Sequence, residues 1–476
     1  VPDVSTPIDR ASVGLRSERG PVLAALMLST GLIAIDATIL ATAVPSIVRD
    51  LGSYQQFPWL FSVYLLAQAV SVPIYSRFAD TVGRKPIILL GIALFLLGSI
   101  LCGLAWSMPA LIAFRVVQGL GAGAVAPMSM TIVGDIYTVA ERAKVQGYIA
   151  SVWAVSSVVG PALGGVFAQL DAWRWIFLIN IPLCLLAAWV LLRRYTEQKQ
   201  TQRHRIDYLG AVLLTVGLTG VILGLLEGGN AWEWLSAPSA LCFGAGIAAL
   251  VLFALVERRA PEPIVDLRLV SRRLILTTTL VSLGVGALMI GVTSFAPTYL
   301  EGSLGIVPLL SGLAVAALTL GWPIAAANVG RLYLRIGFRR TTLIGMSIAS
   351  VAAIVLASVA SWPNPYVLAV IAFVLGFGLG WSAAPTLIAA QSSVEWGERG
   401  AVTGMNAFAR SAGSAVGVAV FGAISNAIIS QGAGPDDPGT IVHASVGVFI
   451  AVALTALLTL LAASFMPRDR VESYSG

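Results

Sequence analysis

Long apolar runs alternate with short polar connections along nearly the whole chain. Fourteen of these runs are close to or longer than the ~20 residues that cross a bilayer as a helix: 21–48, 57–78, 86–106, 108–134, 143–168, 173–192, 207–227, 237–257, 274–300, 306–330, 341–361, 365–390, 401–430 and 441–466. The pattern predicts an all-α integral membrane protein with 14 transmembrane helices. An even number of crossings puts both termini on one side.

Composition supports this reading. Of 476 residues, 57% are hydrophobic and only 11% are charged, whereas soluble domains carry about 25% charged residues. Most of the 48 glycines lie inside the apolar runs, where they let helices approach closely.

The cations give a direction. With the N-terminus inside, 25 of the 29 Lys and Arg residues fall in inward-facing segments. Arg49 and Arg174 fall outside, and Arg115 and Arg410 fall within spans. By the positive-inside rule both termini are cytoplasmic and the protein is a multi-pass protein of the cell membrane. The same distribution accounts for the net charge of +6 without nucleic acid as a partner. Residues 1–20 lack a signal-peptide core and read as a cytoplasmic tail, as do residues 467–476.

The candidate chemistry is sparse. Cys102, Cys184 and Cys242 lie singly in apolar segments, and His204 and His443 are far apart. No metal, cofactor or disulfide is expected. No G-x-x-x-x-G-K-[ST] loop occurs, and none of the lysines follows a glycine, so a phosphate-cradling loop of that type is absent. An enzyme would need a buried nucleophile, a metal cluster or an acid pair. Of the 23 acidic residues, Asp36 alone falls deep inside a predicted span, so no enzyme is expected. An ionisable group at bilayer depth is a functional-site candidate by default.

The chain also repeats. The loop SRFADTVGRK (76–85) aligns with GRLYLRIGFR (330–339) on Gly83 and Gly337. Arg77 then matches Arg331, Lys85 matches Arg339, and Asp80 is replaced by Leu334. Two duplicated halves, 21–192 and 274–466, are predicted around a segment 193–273 that carries two extra spans, a 6 + 2 + 6 arrangement.

SRFADTVGRK resembles the G-x-L-A-D-r-x-G-R-K signature of the major facilitator superfamily, with Ser76 at the first glycine and Phe78 at the Leu. IDATILATAVP (35–45), FRVVQGLGAG (114–123), SSVVGPALGG (156–165) and WRWIFLINIP (173–182) resemble motifs of its fourteen-helix drug:proton antiporter branch. The second half matches in hydropathy and in NAFARSAGSAVGVAV (406–420).

The resemblance implies the major facilitator fold, a monomer, and a proton-coupled carrier that exports lipophilic drugs by alternating access. An exporter dedicated to an endogenous lipid, siderophore or peptide is the alternative. The implied partners are protons, a small lipophilic substrate and the bilayer. Asp36 and Arg115 are the expected proton-coupling pair, the other reading being a permanent ion pair that fixes packing. Arg77, Asp80, Gly83 and Arg84 are expected to gate, with Asp80 at the N-terminus of a second-half helix beginning near Ala401. Gly160, Pro161, Gly164 and Gly165 are expected to break span 5 and to pack its small-residue face against 411–417.

Tyr64, Gln118, Trp153, Asn328, Trp381, Phe408 and Arg410 are the substrate-cavity candidates. Gln118 and Asn328 also suit hydrogen bonds between helices. Arg410 reads as a buried cation that reaches Asp36, coordinates carbonyls or water, or meets an anionic group on a substrate. With a single buried acid, neutral, zwitterionic or monocationic substrates fit better than dications. One proton moving down 100 mV releases about 2.3 kcal/mol, enough to drive such export without ATP.

Overall fold

The computed structural model describes residues 14–137, 139–197, 207–229, 231–260, 263, 267–394, 399–434 and 437–467. Among these the secondary structure is helical, with a single isolated β-bridge between Gly228 and Trp232. A helix satisfies its own backbone, which is what a lipid environment demands.

The first half comprises α1 (Gly20–Leu51), α2 (Phe57–Val82), α3 (Arg84–Gly103), α4 (Met108–Ile136), α5 (Val139–Gln169) and a sixth crossing split into α6 (Trp175–Leu178) and α7 (Asn180–Arg194). Two further helices follow, α8 (Tyr208–Glu227) and α9 (Ala237–Glu257), then the short α10 (Leu267–Val270). The second half comprises α11 (Arg273–Leu304), α12 (Pro308–Ile336), α13 (Phe338–Val359), α14 (Pro365–Ser392), α15 (Arg399–Gln431) and α16 (Pro438–Ser464). Among the described residues, thirteen helices are long and apolar enough to cross a membrane. Among the described residues α2, 26 residues long, is a fourteenth candidate crossing.

Polar residues stop and start these helices. Ser107, Asp207, Ser236, Asn364 and Asp437 each accept a hydrogen bond from a backbone N–H in the first turn of the helix that follows, satisfying donors the helix itself cannot. Proline stands at the start of α12, α14 and α16, where its missing N–H costs nothing.

The repeated loops share one backbone conformation. Gly83 has φ 109° and ψ 158°, and Gly337 has φ 87° and ψ 163°. Each donates its N–H to the carbonyl four residues back, Ala79 and Tyr333, at 2.9 Å. A single residue thus reverses the chain between α2 and α3, and again between α12 and α13, in a region of φ that favours glycine. These turns mark what we term the basic face, since Arg84, Lys85, Arg339 and Arg340 lie beside them.

The halves meet at the opposite face. Asn426 on α15 donates to the Gln55 carbonyl at 3.0 Å, and Ser62 on α2 donates to the Ala415 carbonyl at 3.2 Å. Phe57 and Phe295 pack edge to face at 5.4 Å. One apolar cluster runs from Val44, Ile47 and Leu60 of the first half to Leu300 and Phe421 of the second. A separate cluster, including Leu26, Ile88, Ile132 and Leu191, belongs to the first half alone. Among the described residues, the side-chain hydrogen bonds and ring pairs that join the halves all lie at this opposite face.

Arg49 and Arg174, the two cations on this opposite face, both pair with acids. Arg174 lies 2.8 Å from Asp50 and Arg49 lies 4.0 Å from Asp171.

Candidate functional site

Asp36 occupies the middle of α1 and is 1% exposed, as is Arg115 on α4. Arg115 Nη1 lies 2.8 Å from Asp36 Oδ2. Gln118, one turn along α4 from Arg115, lies on the same helix face. Its Nε2 donates to Asp36 Oδ1 at 2.8 Å, while its Oε1 accepts from Arg115 Nη1 at 2.6 Å. Both carboxylate oxygens are therefore held. The guanidinium is fixed further by Nε donating to the Leu60 carbonyl at 3.1 Å and by the Tyr64 ring, whose centroid is 3.9 Å away.

The polar network continues inward. Gln118 Nε2 also donates to Ser99 Oγ on α3 at 2.9 Å, and Asn180 Nδ2 on α7 donates to the same oxygen at 3.2 Å. Four helices are thus joined through the side chains of Asp36, Arg115, Gln118, Ser99 and Asn180, each at most 1% exposed. Gly98 makes this approach possible, because a Cβ there would meet the Gln118 backbone and side chain. Charges removed from water persist only when paired and hydrogen-bonded, and this pair is both. Moving any one of these side chains leaves another without its partner.

Tyr64 and Gln118, expected on a cavity wall, are instead packed around Arg115, with exposures of 3% and 0%. Trp153 on α5 and Asn328 on α12 are exposed. Trp381 and Phe408 are half-buried, and Trp381 packs against Phe377 with ring centroids 4.9 Å apart. Arg410 corrects the expectation of a buried cation: it is exposed. Its backbone carbonyl, not its side chain, is what packs against Gly286 of α11.

The glycine-rich segment of α5 also differs from expectation. The helical backbone continues through Pro161 rather than breaking there, as membrane helices tolerate when neighbouring helices pack against them. Its small-residue face does not meet 411–417. Gly160 lies against Thr38, and Gly164 against Thr42 and Ile39, all on α1, while Gly165 lies against Leu309 at the start of α12. Gly312 of α12 in turn lies against the Pro161 carbonyl. The residues at 413 and 417 face Leu283 and Ala287 of α11 instead, and Ala415 faces α2. The α5 segment closes the opposite face, with α12 as its partner.

At the basic face, Arg84 and Lys85, just past Gly83, enter a reciprocal clamp. The Glu197 carboxylate accepts the backbone N–H groups of Arg84 at 2.5 Å and Lys85 at 3.1 Å, capping α3. Lys85 Nζ donates to the Leu192 and Tyr195 carbonyls at 3.0 and 2.6 Å, capping the end of α7. Each charge suits the helix dipole it meets. Arg84 Nε lies 3.4 Å from Asp135 at the end of α4. A Cβ at Gly83 would collide with the Glu197 carboxylate. Burial, then the Glu197 and Asp135 carboxylates, hold the Tyr195 hydroxyl above its ordinary pKa. The side chains of Arg77 and Asp80, and that of Ala401 at the expected contact, lie outside the described residues.

Ser99, Asn180 and Glu197 were not singled out by sequence. Asn180 carried a usable signal, being an amide within a predicted span and inside WRWIFLINIP, whereas Ser99 is one of many serines in such spans. Glu197 lay in a polar linker with nothing to set it apart.

A model of the Major Facilitator Superfamily matches residues 26–418. The chain is 31% identical over 410 residues to Multidrug resistance protein 3 of Bacillus subtilis (strain 168), covering 86% of this chain and 80% of that one. It is 31% identical over 414 residues to Multidrug transporter protein MdtP of the same organism, covering 87% and 76%. Efflux pump FUS6 of Gibberella fujikuroi is 32% identical over 433 residues, covering 87% and 76%. Among solved structures, a bacterial homolog of the human lysosomal transporter Spinster, in an inward-facing and unoccupied conformation, is similar with a TM-score of 0.67 at 18% identity, covering 94% of this chain and 96% of that one. A peptide transporter POT in complex with sulfate is similar with a TM-score of 0.68 at 17% identity, covering 96% and 97%. At these identities the two structures speak for the fold alone.

Proposed function

The chain belongs to the Major Facilitator Superfamily, and from that premise we propose that it is a proton-coupled exporter of lipophilic drugs. The observation that carries the reading is the sealed Asp36–Arg115–Gln118 network. Asp36 is buried with the Arg115 guanidinium 2.8 Å away as its counter-charge. Any movement that separates α1 from α4, or admits water between them, changes the surroundings that hold that charge. Protonation in turn leaves Arg115 with only Gln118, the Leu60 carbonyl and the Tyr64 ring. Proton binding and helix position are then linked, which is the requirement for antiport. The similarity to multidrug and efflux proteins supports drugs as the cargo.

The basic face is assigned to the cytoplasm, and with it both termini. Two observations support this: the Lys and Arg residues concentrate there, and the arginines of the opposite face pair with acids. On this assignment the face closed by α5 and α12 is the outer one. Asp36 and Arg115 serve as the coupling pair. Gly160, Pro161, Gly164 and Gly165 with α12 serve as the outer seal, and Gly83 and Arg84 as the hinge of the cytoplasmic side.

Dye efflux from proteoliposomes under an imposed proton gradient tests the reading. Export of ethidium that follows the gradient and stops when it is collapsed supports it. Ethidium movement indifferent to the gradient refutes proton coupling. Absence of movement refutes export of this class. Growth of cells expressing the protein, with and without drugs, separates drug export from a carrier serving an endogenous compound.

A further inference from the structure

Arg410 stands apart from the network above. It lies 11 residues into α15, about 17 Å along the helix axis. The backbone beside it lies on α11, and the exposed side chain leaves the helix next to that contact. A Cβ at Gly286 of α11 would strike the Arg410 carbonyl, and Ser414, the next turn, donates to the Gly286 carbonyl at 3.0 Å. α11 itself packs against α1 of the other half. Ionisable side chains at this depth face the bundle interior or a water-filled space. Five residues further along, the Ala415 carbonyl accepts from Ser62 at the seam between the halves. Arg410 therefore lies about 7.5 Å from that seam, on the side towards the basic face.

Among the described residues no acid pairs with Arg410, whereas the Asp36 charge is already taken by Arg115. One turn before it on α15 stands Asn406, 7% exposed, whose Nδ2 has no hydrogen-bond partner. Residues four apart lie on one face of a helix, so this face offers a charged donor and an unused amide donor together. A buried donor left unpaired is costly, and a carboxylate would satisfy both.

We propose that Arg410 and Asn406 form a recognition subsite for a carboxylate or similar oxyanion on the exported compound. The assignment rests on the export reading above and narrows it: zwitterionic and anionic amphiphiles are preferred over simple lipophilic cations, which meet an unbalanced positive charge.

The test is dye binding to the purified full-length protein in phosphatidylcholine nanodiscs, read by fluorescence polarisation. The probes are rhodamine B, with a free carboxylate, and its ethyl ester. Wild type should bind the acid about tenfold more tightly than the ester, the scale of one charged hydrogen-bonded contact. Arg410→Ala should erase that preference while keeping ester affinity, which also shows that the variant is folded. Arg410→Lys should retain part of the preference, and Asn406→Ala should lower it. Equal affinity of wild type for both dyes overturns the subsite but leaves the export reading standing. So does an Arg410→Ala protein that weakens both dyes alike. If neither dye binds wild type, both readings fall together. Adding phosphatidylglycerol separates the sources of the oxyanion. Competition that Arg410→Ala abolishes extends the subsite to a lipid phosphate, and absence of competition restricts it to the small molecule.

Discussion

Arg115 Nη1 stands 2.8 Å from Asp36 Oδ2 with both side chains shut away from solvent. The two residues are 79 positions apart in sequence, on helices that reach them from opposite directions. Because Gln118 completes the contact, the pair is held by a third side chain rather than by charge alone.

Asp36→Asn keeps the shape of this site and removes its titration. Proteoliposomes bearing the variant are expected to bind ethidium but to release no protons when it is added, whereas wild type releases them. Proton release equal to wild type would make Asp36 a structural partner of Arg115 and place coupling elsewhere.

Breaking the pair from one side is expected to be worse than removing it. Arg115→Met leaves Asp36 buried without its cation and should cost about 3–5 kcal/mol, while Arg115→Met with Asp36→Leu should recover most of that loss. Thermal unfolding of the purified proteins in detergent decides the point. A double variant no more stable than Arg115→Met refutes it.

Gln118→Leu removes the donor to Asp36 Oδ1 and to Ser99 together. Hydrogen bonds to charged groups are worth about 1.5–3 kcal/mol and neutral ones about 0.5–1.5, so Ser99→Ala should lower the melting temperature less than Gln118→Leu. The reverse order would show that the network is anchored through α3 rather than through Gln118.

The seal between α5 and α12 depends on a missing side chain. Gly165→Val places a branched Cβ against the Leu309 backbone, so the opposite face should be forced apart. Leu309→Cys is expected to react slowly with a membrane-impermeant maleimide in the otherwise wild-type protein and severalfold faster with Gly165→Val. Unchanged labelling would mean that the seal lies elsewhere along the seam.

The extra helices are tied in at the same face. Trp59 Nε1 on α2 donates to Glu227 at the end of α8 at 2.9 Å, and Leu226 packs with Ala415 and Ala419 of α15. Trp59→Phe keeps the apolar contact and loses the bond. Amide exchange of the last turn of α8 should rise while that of α2 stays the same. Equal exchange in the two proteins would show that apolar packing alone secures α8.

Much of the fold was legible because membrane helices announce themselves locally. Run 207–227 became Tyr208–Glu227, and 237–257 became Ala237–Glu257. The ends slipped where helices continue past the apolar core, as in Pro308–Ile336 against 306–330, since hydropathy marks lipid and not helical backbone. Asp36 was legible as an isolated charge in an apolar run. Ser99 was not, because a serine in a membrane helix usually bonds its own backbone, as Ser29 does with the Ala25 carbonyl. Only the position of Gln118 gives Ser99 a different task. The direction of the Gly-rich face of α5 was likewise hidden: small residues state that something packs closely, not which helix does.

What the sequence determined by itself was everything set by the exchange between water and lipid: the spans, the duplicated glycine turns at Gly83 and Gly337, the gathering of the cations on one face and the cost of Asp36. Those quantities depend on one residue and its near neighbours in the chain. The tertiary structure decided partnerships between distant residues: Asp36 with Arg115 and Gln118, Glu197 with the first turn of α3, Gly165 with Leu309, and Arg410 with no acid among the described residues. Such pairings follow from which helices lie side by side and at what depth and rotation. Packing of surfaces fixes these, and no local hydropathy encodes them.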